Sequence, residues 1–95
     1  MENQHRKIKG YRELTQVEID LMNEIKQQGL ALDALLGKVH AHLSAQTVAA
    51  ANAESKDEEH RIDDAQPHRW AAIARTDFQT GLMALTRAVA QPTFF

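Results

Sequence analysis

Residues 15–46 read TQVEIDLMNEIKQQGLALDALLGKVHAHLSAQ. Within them Met22, Ile25, Gly29, Leu32, Leu36, Val39 and Leu43 recur at alternating intervals of three and four, with Leu21 and Leu35 on one flank. That spacing lays the apolar side chains along one stripe of an α-helix, as in a coiled-coil seam. The start is marked by Thr15 and Glu18, which form a capping box: each side chain takes up a backbone N–H that the first turn leaves open. A helix over 15–46 is expected, roughly 48 Å long at 1.5 Å per residue. Gly29 in this seam costs about 1 kcal/mol of helix propensity. It reads either as a point of close helix approach, as a bend, or as room for a ligand.

Working outward, 47-TVAAANAES-55 is small and alanine-rich and reads as the turn of a hairpin. Ser55 and Glu58 suggest a second capping box, and Asp57, Glu58 and Glu59 put negative charge where a helix dipole favours it. The second helix is expected over 56–91, kinked or restarted near Pro67. In it Ala71, Ala74, Phe78, Leu82, Leu85 and Val89 form the matching stripe, with Trp70, Ile73, Gly81 and Ala88 beside it. Pro92 ends it and leaves 92-PTFF-95 as an aromatic tail. The fold class that follows is all-α: a single antiparallel helical hairpin over 1–95 with a basic leader at 1–14.

A hairpin buries only one face of each helix. Leu21, Leu35, Trp70 and Phe78 in some combination need another surface, and identical copies supply one through closed symmetry. A homo-oligomer is therefore expected, with Phe94 and Phe95 packing across its interfaces. The sequence has no cysteine, which excludes disulfides and thiolate metal sites. It has no basic-then-apolar leader and no run of about 20 apolar residues, so the expectation is a soluble, cytoplasmic protein with no membrane contact.

The formal net charge of −2 is unevenly spread. Residues 1–12 carry a local charge of +3, 54–64 carry −4, and 68–95 return to +2. Short basic patches on an acidic chain suit a small anion better than long nucleic acid. There is no GxSxG, no phosphate-binding loop and no HExxH, and the expectation is a protein that is not an enzyme and uses no cofactor. His40 and His42 point in different directions on a helix, and His60 and His68 are separated by the expected kink. Glu58, Asp63 and Asp64 read as a solvated face, so no metal site is expected.

Two stretches suit anion binding. In 67-PHRWAAIART-76, Arg69 and Arg75 bracket Trp70, and Thr76 adds a hydroxyl: residue types that clamp phosphate, stack a base and donate to its edge. Trp70 reads equally as a core or interface anchor. In 9-KGYRELT-15, Tyr11 lies between Lys9 and Arg12 just before the helix cap, placed either to cover a purine or to pack the leader, and Lys26 follows as a possible phosphate contact.

The blocks 9-KGYRELTQVEIDLMNEIK-26 and 67-PHRWAAIARTDFQTGLMALTRAVAQP-92 together resemble the phage anti-CBASS proteins of the type-2 class, whose hairpin is shared with phage proteins that sequester Thoeris signals. The resemblance covers nearly the whole chain apart from the turn around 47–60. It implies a noncatalytic sponge that holds cyclic di- and trinucleotide immune messengers in the host cytoplasm, assembled as a homohexamer. It further implies that Tyr11 and Lys26 serve a cyclic dinucleotide site between protomers, and the neighbouring Arg12 and the tail residue Phe94 are expected at the same site. Arg69, Arg75 and Thr76 fall in the block tied to a separate cyclic trinucleotide site. The alternative reading is a helical adaptor that grips a protein or nucleic acid through its basic leader.

Overall fold

The Thr15 cap forms as the sequence requires. In the computed structural model, which describes residues 13–94, the Glu18 N–H donates to Thr15 Oγ1 at 3.2 Å and the Thr15 N–H donates to Glu18 Oε1 at 2.8 Å. From this cap α1 runs over Gln16–Asn52, α2 over Asp57–Ala65 and α3 over Pro67–Ala90. The fold is an all-α hairpin. The cross-helix pairs Gly29–Leu82, Asp33–Arg75 and His40–His68 step up α1 while stepping down α3, so the two long helices are antiparallel.

α1 continues six residues past Gln46, where the sequence reading ends it. The reason is the alanine content of 47–52: alanine is the best helix former, and no glycine or proline interrupts the run. The connection shrinks to residues 53–56. There the Lys56 ammonium donates to the Ala51 carbonyl at 2.8 Å, a cation on the negative end of α1. The expected Ser55–Glu58 box does not form. Ser55 Oγ instead accepts the Asp57 N–H at 3.2 Å, Lys56 stands at the N-cap, and the Glu58 carboxylate takes the Arg61 guanidinium. That pairing lowers the Glu58 pKa and raises that of Arg61.

Gln66 and Gln91 have left-handed backbone angles, φ 49° and 54°, and each precedes a proline. The Cδ of a following proline disfavours the right-handed helical region. Gln66 thus ends α2, donating its N–H to the Ile62 carbonyl at 2.9 Å, and Pro67 opens α3 in the first-turn position where its missing N–H costs nothing. Gln91 closes α3 in the same way onto the Arg87 carbonyl at 2.8 Å.

The seam of α1 is as expected except at Val39, which is 38% exposed: Met22, Ile25, Gly29, Leu32 and Leu36 are half-buried and Leu43 is buried. On α3 the line is Ala71, Ala74, Phe78, Leu82, Thr86 and Val89. Thr86 replaces the expected Leu85, which is 52% exposed, because four residues on from Leu82 keeps the 3.6-residue period better than three. The Thr86 hydroxyl satisfies itself on the Leu82 carbonyl at 2.9 Å. Among the described residues only Leu43, Ala50 and Ile62 are buried, toward the end of α1 and on α2, and none is wholly so. The radius of gyration is 20.6 Å, against about 12 Å for a compact chain of this length.

Two substitutions test this account of the hairpin by urea unfolding at fixed protein concentration. Thr15→Ala removes the cap and should lower stability by about 1 kcal/mol. Gly29→Ala should raise it by up to about 1 kcal/mol, since the added Cβ meets Leu82 Cδ1 at an ordinary 3.4 Å.

Candidate functional site

Among the described residues, concavities of about 1120 and 560 Å³ lie along the α1–α3 seam. The larger lies between the N-terminal half of α1 and the C-terminal half of α3. Its floor is apolar, built from Met22, Ile25, Leu30, Leu82 and Met83, with Gly29 also in the lining. Leu30 and Met83 are 66% and 72% exposed, far more open than core residues of that size. Asn23, Thr80 and Thr86 supply the neutral polar edge, and the charged members are Lys26 from α1 and Arg87 from α3. Among the described residues no carboxylate lines the groove. Two cations with no described acid beside them make it locally positive in a chain of net charge −2.

Of the four residues expected at a dinucleotide site, Lys26 lies in this groove. Phe94 sits just beyond Pro92, which lines the groove's end, and its carbonyl accepts from the Arg87 guanidinium. Tyr11 and Arg12 lie outside the described residues. Arg87 was not singled out by the sequence reading. The signal was available: Lys26 and Arg87 sit on opposite helices at positions that antiparallel pairing of the stripes brings together.

The second concavity, about 560 Å³, is lined by Asp33, Leu36, Gly37 and His40 of α1 and His68, Ala71, Ala72 and Arg75 of α3. It separates the three residues expected at a trinucleotide site. Arg75 turns toward α1 and pairs with Asp33 at 3.3 Å. Arg69 and Thr76 are exposed and, seven residues apart, share another face of α3. The Arg69 guanidinium lies over the Trp70 ring, 5.1 Å from its centroid, a cation–π contact. Trp70 is 58% exposed, so within one chain it is not a core anchor. Phe78, by contrast, is half-buried in the hairpin itself.

The histidine arrangement differs from the sequence pairing. His40 and His68 meet across the seam with ring centroids 5.8 Å apart, edge to face, and Thr47 Oγ1 stands 3.5 Å from His68 Nε2. Among the described residues no group of three or more His, Asp or Glu is arranged to hold a metal, and no helix is long and apolar enough to cross a membrane.

A family model described as the Acb2/Tad1 hairpin domain matches residues 3–90, a span that contains α1, α2 and α3 entire. The chain belongs to that hairpin family. It is also similar to "Anti-CBASS protein 2" of Pseudomonas phage JBD67, with 51% identity over 105 aligned positions covering 97% of each chain. At that coverage the whole hairpin is held in common.

The Arg75–Asp33 pair is more than half exposed at both ends. A double-mutant cycle of Arg75→Ala and Asp33→Ala should give a coupling below about 1 kcal/mol that shrinks further in salt. A coupling well above that would make the pair a structural clasp of the hairpin.

Proposed function

We propose that the protein is a noncatalytic sponge for cyclic oligonucleotides that counters CBASS defence in the cytoplasm of a phage-infected bacterium. The carrying observation is the groove, which joins two cations to an open apolar floor and holds no acid among the described residues. Cyclic dinucleotides have that complementary form: two phosphodiesters and two flat bases closed in one ring. The family and the name of the phage relative support the same reading. Inhibition by sequestration needs tight, stoichiometric binding and no turnover.

In this reading Lys26 meets a phosphate of the dinucleotide, Tyr11 stacks on a base, and Arg12 and Phe94 border the site. Arg69 and Thr76 serve a separate trinucleotide site, with Arg75 at its margin because Asp33 competes for its charge. The chain works as a homo-oligomer, a hexamer on the pattern the resemblance implies. Exposed Leu21, Leu35 and Trp70 support association, since one hairpin leaves them uncovered. The adaptor alternative rests on residues 1–12, outside the described residues, and gains nothing from a groove of this composition.

Calorimetric titration with 3′,3′-cyclic GMP–AMP and with cyclic triadenylate tests the sites. Both should bind, at distinct stoichiometries and without competing. Lys26→Ala should weaken the dinucleotide by about tenfold or more and spare the trinucleotide, and Arg69→Ala should do the reverse, each losing a charge-assisted contact. Equal losses of both ligands in either variant would collapse the two sites into one. Trp70→Ala, followed by light scattering and circular dichroism, should reduce the assembled mass while leaving the helical signal intact. An unchanged mass would remove Trp70 from the interface.

A further inference from the structure

Arg87 differs from Arg61 and Arg75 in having no carboxylate partner among the described residues. Arg61 is taken by Glu58, Arg75 by Asp33, and Arg69 lies over Trp70. The partner of Arg87 is a neutral backbone carbonyl, that of Phe94, reached through Nη2. A guanidinium has five N–H donors in a rigid fork, so this contact fixes its plane while Nε and Nη1 keep their donors. The group lines the same groove as Lys26, which holds no acid among the described residues, and approaches it from the opposite helix. A cyclic dinucleotide carries two phosphates, one lysine neutralises one of them, and a desolvated second phosphate needs its own charge-assisted donors.

We propose that Arg87 is a second phosphate-binding residue of the groove, held ready by the carbonyl of the C-terminal segment. This rests on the dinucleotide reading of the groove and deepens it. Lys26 on α1 and Arg87 on α3 then grip a ligand from both walls, so binding ties the two helices together as well as filling the space between them. Phe94 contributes through its backbone, by orienting the guanidinium, as well as through its ring.

The test is calorimetric titration of the full chain with 3′,3′-cyclic GMP–AMP, comparing wild type, Lys26→Ala, Arg87→Gln and Arg87→Lys, with circular dichroism on each. Arg87→Gln should lose about tenfold or more in affinity. Arg87→Lys, which keeps the charge and loses the fork, should fall between it and wild type. Wild-type affinity in Arg87→Gln, alongside a weakened Lys26→Ala, overturns the assignment and leaves the groove reading standing. No binding by wild type overturns both. Should Arg87→Gln fail to fold, the Arg87 Nε–H resonance of the wild-type protein decides: saturating ligand should shift it and protect it from exchange, and an unmoved resonance overturns the proposal.

Discussion

The packing of one apolar stripe of α1 against one apolar stripe of α3 is the contact on which the rest of the structure depends, and in it Leu82 Cδ1 lies at an ordinary 3.4 Å from the place a Cβ of Gly29 would occupy. Leu30 and Met83, beside that stripe, stay exposed along the groove instead of closing a core. The result is a hairpin that is long, thin and shallow. Among the described residues it buries only Leu43, Ala50 and Ile62, none of them wholly, and leaves large apolar groups uncovered on its flanks. A chain of this size has too little interior to be comfortable alone, and the same geometry that starves its core opens a groove along its side.

The acids of α2 follow the C-terminal end of α1. Lys26 is some 26 residues back along α1 from its end at Asn52, about 39 Å at 1.5 Å per residue. Against a screening length near 8 Å at physiological salt, that acidic end is invisible from the groove. Glu18, Asp20 and Glu24 share the N-terminal half of α1 with Lys26 but are not among the residues that line the groove, so its charge depends on which side chains face it and not on the net charge. The acidic end also has structural work of its own, in the Glu58–Arg61 pair and in the negative charge that the start of α2 favours.

Much of the fold could be read from the sequence because its signals are local. The Thr15–Glu18 box, the three-four spacing of the α1 seam and the break at Pro67 each need only a few residues to be recognised. The misreadings came where neighbours decide. Alanines 49–51 look like a turn by smallness yet propagate a helix already under way. Ser55 looked like a cap until Glu58 found Arg61. Leu85 looked like core by type, and Thr86 took the position by register. The candidate site was legible in half: Lys26 by its place near a basic-aromatic stretch, but neither Arg87 nor the withdrawal of Arg75 toward Asp33, since both depend on which residues of α1 and α3 face one another.

The central claim is that this hairpin holds cyclic oligonucleotide and returns it unaltered. The most direct measurement is to saturate the protein with 3′,3′-cyclic GMP–AMP, remove free ligand by gel filtration, denature the protein with heat, and identify what is released by mass spectrometry. The account predicts intact cyclic dinucleotide in stoichiometric amount. Linear product, or a protein fraction that carries no nucleotide, would contradict it.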